Sequence, residues 1–231
     1  MMRQAFLLIV ITASFASCTQ KEDVKKKFNE YQISAELLTI NLKDADAEHY
    51  FNLKTTTVNG AETKIIESTF DPSKNIGERW NLVSVNQASP SIMEIKEFDK
   101  THNTTLEGVN GQIDASSWNI EKDDDAYLVL SFRHDKRSLP RKYSFLGDCK
   151  GLAYYNKKTE RLEKTEFVNE KPLKIKVFNV TRLDMVVHYE FNHEDAVYLI
   201  HTEELDMEVM LFGQLVPIKE VNEYGNYRKG D

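Results

Sequence analysis

The segment Leu183–Phe191, with the sequence LDMVVHYEF, decides the fold, because every second residue in it is large and apolar. Successive side chains of a β-strand point to opposite faces of a sheet. This spacing therefore predicts a strand with one apolar face and one face in contact with water. The apolar set comprises Leu183, Met185, Val187, Tyr189 and Phe191.

The same period of two continues on both sides of this strand. Further strands are predicted at His49–Val58, Ala61–Phe70, Leu128–Phe132, Gly151–Asn156, Leu162–Val168, Leu173–Val177, Val197–Thr202 and Leu205–Ile218. Asn59-Gly60 provides the positive φ that a two-residue hairpin turn requires. The last strand changes its apolar phase near Met210–Phe212, which predicts a bulge or a strong bend there.

Two segments have a helical period instead. Apolar residues spaced by three and four between Glu22 and Lys43 predict an amphipathic helix. Ser91 and Glu94 form a capping box that begins a shorter helix, and this helix aligns Ile92, Ile95 and Phe98 on one face. Two helices beside a long antiparallel meander predict an α+β domain with a curved sheet that the helices cover.

The N-terminus has the features of a lipoprotein signal peptide. Arg3 precedes a short apolar run at residues 5–11, and Ala16-Ser17 stands directly before Cys18. The run is shorter than the about 20 apolar residues that span a bilayer. We therefore expect a signal peptide at 1–17, acylation of Cys18, a tether at 18–27 and a single domain at 28–231. Cys18–Asp23 also resembles the lysine-plus-acidic export signal of Bacteroidetes surface lipoproteins.

Composition argues against nucleic-acid binding and against stabilisation by a disulfide. The chain is acidic, with a formal net charge of −7, whereas a nucleic-acid-binding domain would present a basic face. Acylation of Cys18 leaves Cys149 as the one other cysteine, so no internal disulfide can form and stability must come from a packed core.

A motif around Trp80 carries a resemblance to a known family. It comprises Asp71-Pro72, Gly77, Trp80, Leu82 and Ser84-Val85. Together with later elements, it resembles the outer-membrane lipoprotein-sorting (LolA-like) superfamily over roughly residues 30–228. Those elements are the strand from Gly151, the turn Lys157–Thr159, Pro172 and the closing Glu223–Tyr227. The glycine of the family's turn is absent from the matching stretch, Asn86–Pro90.

The resemblance implies an incomplete, or half, β-barrel lidded by helices. In members with known roles, the concave side holds acyl chains, and the proteins carry lipoproteins or sense the state of the envelope. A soluble carrier must release its cargo across the periplasm, whereas this chain is predicted to be tethered through Cys18. The carrier role therefore does not transfer directly.

An apolar concave cavity would bind acyl chains through the area that they remove from water. The predicted lining comprises Leu173, Ile175, Val177, Leu183, Met185, Val187, Tyr189 and Phe191. The alternative is that these residues fill the core beneath the helices.

The leading hypothesis is a non-catalytic lipoprotein, anchored in the outer membrane through Cys18, that binds a lipid, lipopeptide or other amphiphile without a cofactor. Its body would face the cell surface or the periplasm. The alternative is a structural or interaction subunit of an envelope complex, with a filled barrel and a protein partner. An enzyme comes third, because no nucleophilic elbow or phosphate-binding glycine loop is present.

Other polar clusters are weaker candidates. His188 and Glu190 share a strand face but lack the spacing of a zinc motif, and no metal is expected there. Asp123–Asp125 lacks the distal glutamate of a calcium loop and predicts a polar hairpin tip. The basic residues that flank Pro140 predict a solvated loop, although they could also meet phosphate headgroups or acidic glycans; they are Lys136, Arg137, Arg141 and Lys142.

We expect the mature protein to begin at Cys18 and to carry acyl chains such as palmitate. Intact-mass spectrometry of protein from a bacterial envelope should show the loss of residues 1–17 and added acyl mass. Cys18→Ser should remove that mass and release the protein from the membrane fraction, whereas Cys149→Ser should change neither. Unmodified protein with residues 1–17 still attached would contradict lipidation.

Overall fold

The computed structural model describes residues 22–33, 48–102, 111–139, 141–175 and 178–230. Helix α1 covers residues 22–30, and a 3-10 helix covers Arg141–Asp148. The remaining elements are β1 (His49–Asn59), β2 (Glu62–Phe70), β3 (Trp80–Val85), α2 (Ile92–His102), β4 (Asn119–Asp123), β5 (Tyr127–Phe132), β6 (Cys149–Asn156), β7 (Arg161–Asn169), β8 (Leu173–Ile175), β9 (Phe178–Asn192), β10 (Val197–Leu211) and β11 (Gln214–Lys229).

All the strands belong to one antiparallel sheet. Its order is β3-β2-β1-β11-β10-β9-β7-β6-β5-β4, and β8 pairs with β9 beside this path. Within the described ranges, β3 and β4 are the two edges, so the sheet is not closed. Register shifts interrupt several ladders, including β9–β10 and β6–β7, and such bulges bend strands. The predicted α+β class with a curved antiparallel sheet and two helices is confirmed.

We call the side of the sheet that carries Leu183, Met185 and Val187 the inner face. The register places Met185 between Phe167 of β7 and Leu205 of β10, so the inner face continues across these strands. The largest apolar cluster covers it from β4 to β10, and Val24 of α1 packs into that cluster.

A second cluster lies on β1, β2, β3 and β11 and is mainly aromatic. Phe51 stacks on Phe70 with ring centroids 5.0 Å apart, and Trp80 meets both rings edge-on. Tyr224 and Tyr227 of β11 complete this cluster. Trp80, the centre of the motif found in the sequence, is therefore a partly buried residue that packs against this cluster at the edge of the sheet.

Helix α1 is shorter than the sequence predicts. It ends at residue 30 rather than at Lys43, because Gln32 has a φ of 52° and Ile33 N donates to Phe28 O at 2.9 Å. A left-handed residue of this kind terminates a helix. Residues 34–47 lie outside the described part of the chain.

The predicted strand Leu205–Ile218 is wrong, because a hairpin turn divides it. Phe212 and Gly213 have φ values of 50° and 81°, and Leu211 pairs with Gln214 across them. Two successive positive φ values are typical of a tight hairpin turn. The change of apolar phase near Met210–Phe212 marks this turn and not a bulge.

Helix α2 has the predicted cap but not the predicted packing face. Ser91 N donates to Glu94 Oε2 at 2.7 Å, and Glu94 N donates to Ser91 Oγ at 3.3 Å, which is a capping box. Phe98 is buried against β3, whereas Ile92 is 74% and Ile95 39% exposed. Of the three apolar residues predicted to share a face of α2, only Phe98 is therefore buried.

Two tight turns join the first strands. The predicted hairpin of β1 and β2 is confirmed, but Asn59 pairs with Glu62, so the turn residues are Gly60 and Ala61, with a φ of 61° at Gly60. After β3, Asn86 and Gln87 both have positive φ, at 49° and 65°. The chain thus makes a tight turn without the glycine of the family motif.

We expect Gly151→Ala to destabilise the fold, because its new Cβ would lie 2.6 Å from Cζ of Phe132. Phe132 is 1% exposed and packed against other rings, so relief would require a shift in the core. Overpacking of this kind costs about 1–3 kcal/mol of unfolding free energy. Urea denaturation followed by circular dichroism measures it.

Gly225→Ala is the matched control, since a Cβ at Gly225 meets no heavy atom within 4 Å. It should change the unfolding free energy by less than about 0.5 kcal/mol. Equal effects of the two substitutions would show that strand propensity, and not the contact with Phe132, dominates.

Candidate functional site

The predicted lining residues divide into a buried and a partly buried group. Leu173, Leu183 and Val187 are 6%, 3% and 1% exposed. Ile175, Met185, Tyr189 and Phe191 are partly buried against the main cluster. Val177 lies outside the described residues. The ligand-binding role of this set stays a prediction.

A cavity of about 320 Å³ opens where the end of α1 meets the inner face. Its volume lies at the lower end of the roughly 300–1,000 Å³ typical of small-molecule pockets. We call it the helix-end cavity; its lining residues are Glu30, Tyr31, Gln32, Ile33, Tyr155, Glu160, Arg161, Phe191 and Tyr198. Phe191 is the member of the predicted set that lines it.

Four aromatic residues line the cavity beside polar and charged groups. Phe191 meets Tyr198 with ring centroids 5.0 Å apart, and Tyr31 lies 5.7 Å from Tyr155. The Tyr198 hydroxyl accepts the N–H of Leu162 at 3.1 Å, and the Tyr155 hydroxyl donates to Tyr31 O at 3.2 Å. Because the backbone engages these hydroxyls, the rings meet the cavity mainly as apolar surface.

One cation, Arg161, is among the lining residues. The guanidinium carbon of Arg161 is 4.1 Å from the centre of the Phe191 ring, within the range of a cation–π contact. Arg161 Nη1 also donates to the carbonyl oxygen of Glu160 at 3.2 Å. Glu160, with a φ of 55°, is the last residue of the turn before β7 and sets the direction in which Arg161 leaves it.

Ion pairs hold α1 against the rim of the cavity. Asp123 of β4 binds Lys27 of α1 at 2.8 Å and also binds Lys157. Hydrogen bonds from Lys157 and Lys27 lower the pKa of the Asp123 carboxyl, and the bond to Asp123 is the main cause that raises the pKa of Lys27. Both ammonium groups lie near the Tyr31 ring, at 5.5 and 5.4 Å from its centre.

Polar groups on the inner face were missed by the sequence analysis. Glu203 stands opposite Val187 and accepts the hydroxyl of Tyr224 at 2.6 Å. Burial raises the pKa of the Glu203 carboxyl. The Thr165 and Tyr189 hydroxyls lie 3.1 Å apart on the same face. Glu203 was missed because it falls between two predicted strands, Val197–Thr202 and Leu205–Ile218. The sequence analysis therefore assigned it to neither face of the sheet.

The weaker polar candidates have ordinary roles or stay untested. Asp124 accepts the N–H groups of Ala126 and Tyr127, as expected at a hairpin tip; the bond to Lys122 is the largest of the contacts that lower its pKa to about 2. In the part of the chain that the structure describes, no three His, Cys, Asp or Glu residues are grouped so that they could hold a metal. Lys136 pairs with Asp148.

Two further observations concern the chain as a whole. Cys149 is buried, and loss of hydration raises the pKa of its thiol to about 11. Among the described helices, none has the length and apolar composition needed to cross a membrane.

Of the basic residues that flank Pro140, Arg141 and Lys142 have side chains that lie outside what the structure describes.

No protein-family model matches the chain, and no curated protein does. Several solved structures are similar to it. A LolA superfamily protein from Nitrosomonas europaea is 14% identical, with a TM-score of 0.34 over 84% of this chain and 90% of that one. A DUF1329 family protein from Desulfovibrio piger is 8% identical, with a TM-score of 0.38 over 86% and 91%.

The third is an outer membrane lipoprotein-sorting protein domain from Vibrio parahaemolyticus. It is 12% identical, with a TM-score of 0.37 over 86% of this chain and 93% of that one.

We expect Asp123→Asn to destabilise the protein by about 0.5–1 kcal/mol, the range of partly exposed ion pairs. The folded-state pKa of Asp123 lies below its ordinary value of 3.8, so its contribution is complete above that value. It is lost as the pH falls through the folded-state pKa. Urea denaturation of both proteins between pH 7 and pH 3 should show the difference shrinking below about pH 4.

Asp125→Asn is the control, because Asp125 is an exposed residue of the same hairpin tip with no ion pair to the described residues. It should have little effect at any pH. A loss of stability in Asp125→Asn equal to that in Asp123→Asn would assign the effect to the net charge of the tip.

Proposed function

We propose that this protein binds the apolar chain of an amphiphile, such as a lipid or a lipopeptide, in the helix-end cavity, without catalysing a reaction. The observation that carries the proposal is an open cavity lined by four aromatic residues, among which Tyr155 and Tyr198 have their hydroxyls engaged by the backbone. Each methylene that leaves water for such a surface contributes about 0.8 kcal/mol. A short stretch of acyl chain would therefore bind measurably.

We further propose that the protein belongs to the LolA-like superfamily and is anchored in the outer membrane through acylated Cys18. The support comes from the signal-peptide pattern before Cys18, the motif around Trp80 and the open, helix-covered sheet. A surface lipoprotein of the Bacteroidetes type is the finer form of this proposal and rests on Cys18–Asp23.

A second candidate function is an interaction subunit of an envelope complex. It is favoured by the burial of Leu183 and Val187, which fill the inner face instead of lining an opening. It is also favoured by apolar side chains at the tips of two neighbouring hairpins: Phe212 is fully exposed, Leu215 is 55% and Phe178 41% exposed. Exposed apolar groups of this kind mark contact sites in other proteins.

Native mass spectrometry of the full chain carrying Cys18→Ser, purified from a bacterial envelope, tests amphiphile binding. We expect co-purified amphiphile on this protein and its loss in Phe191→Asp, which places a charge in the cavity wall. Phe178→Asp is the matched control, because it makes the same change at the other end of β9, away from the cavity. It should keep the bound species.

An empty, folded protein that also fails to bind added lysophospholipid would overturn the proposal and favour the interaction subunit. Equal loss of the bound species in both variants would place the amphiphile elsewhere. Val187→Asp would be less informative, because Val187 is 1% exposed and a buried charge there would unfold the protein.

A further inference from the structure

Arg161 is a cation of the helix-end cavity without an acidic partner within ion-pair distance among the residues that the structure describes. A guanidinium has five N–H donors in a planar fork. In the same part of the chain, one of these donors is engaged, by the carbonyl oxygen of Glu160. The side chain therefore brings hydrogen-bonding capacity and a full positive charge to a wall that also contains four aromatic rings.

The contact with Phe191 orients this group. The guanidinium carbon lies over the Phe191 ring, 4.1 Å from its centre, and this contact restrains the side chain from one side. The carbonyl of Glu160 restrains it from a second side. Because less side-chain freedom is lost on binding, a pre-oriented fork binds a planar oxyanion more tightly than a flexible ammonium does.

Two carboxylates also line the cavity, and they oppose an anion to different degrees. Glu30 is held by Lys27 at 3.1 Å, so its charge is matched. Glu160 is exposed, and water and salt screen charges at such positions. Lys157 stands nearby over the Tyr31 ring, although it is bound to Asp123. Because Lys27 and Lys157 are already paired with Asp123, Arg161 is the cation of this site that is best placed to bind a negative group.

We propose that Arg161 binds the oxyanion head group, a carboxylate or a phosphate, of an amphiphile whose apolar chain lies against the neighbouring rings. This inference rests on the proposed amphiphile binding and adds the class of head group to it. The fork of Arg161 matches the two oxygens of such a group, while Phe191 contacts both the guanidinium and the cavity.

Isothermal titration calorimetry with three twelve-carbon probes tests the inference on the full chain carrying Cys18→Ser at pH 8. The probes are dodecanoate, dodecyl maltoside and dodecyltrimethylammonium, each below its micelle concentration. We expect dodecanoate to bind most tightly, with an affinity that falls as salt is added. Arg161→Gln should weaken dodecanoate about tenfold, or about 1.4 kcal/mol, and change dodecyl maltoside less than about twofold.

Two further variants keep this result interpretable. Lys158→Gln removes the same charge from the adjoining turn, at an exposed residue outside the cavity lining, and should leave all three affinities unchanged. Arg161→Lys keeps the charge but loses the planar fork, and should bind dodecanoate with intermediate affinity. Equal dodecanoate affinity in Arg161→Gln and wild type, or equal loss in Lys158→Gln, would overturn the inference while leaving amphiphile binding in place. Binding of none of the probes would overturn both.

Discussion

The exclusion of water from one face of a wide, open sheet is the constraint on which this structure depends. Strands with a period of two place their apolar side chains on one face and their polar side chains on the other. In this sheet, the inner face from β4 to β10 carries most of the large apolar side chains. Helix α1 buries Val24 in that cluster and places Phe28 edge-on against Trp118, with ring centroids 5.2 Å apart. The ion pair between Lys27 and Asp123 then fixes the position of the helix at the rim.

A second constraint joins the first and the last of the described strands. β1 and β11 form a long ladder with one register shift. This ladder connects the first three strands to the rest of the sheet. The aromatic cluster lies across this junction, because Phe51 of β1 contacts Tyr224 and Tyr227 of β11. His49, buried at the start of β1, meets Asp195 of the β9–β10 turn at 3.0 Å. The junction is therefore fixed by packing as well as by backbone hydrogen bonds.

The sequence predicted the elements whose cause is local and missed those whose cause is not. Alternation in Leu183–Phe191 and the capping box at Ser91 depend on neighbours in the chain, and both were predicted correctly. The ends of α1 and of β10 depend on a positive φ at Gln32 and at Phe212. Residues other than glycine rarely have a positive φ, so the sequence did not indicate these ends. The cavity could not be predicted, because Arg161 and Tyr198 reach it through pairing that only the folded sheet defines.

The cavity lies at the end of the ladder between β7 and β9, beyond which β7 itself continues to Arg161. The last pair between β9 and β7 joins His188 to Lys164, whereas β9 continues to Asn192 and pairs onward with β10. Phe191 and Tyr198 therefore extend beyond the last pair that β7 makes with β9. Because α1 ends at residue 30, its last turn reaches this rim without filling it. The interior is packed around Leu183, whereas the described residues do not fill it at the end of the ladder, next to Arg161, where the proposed amphiphile would bind.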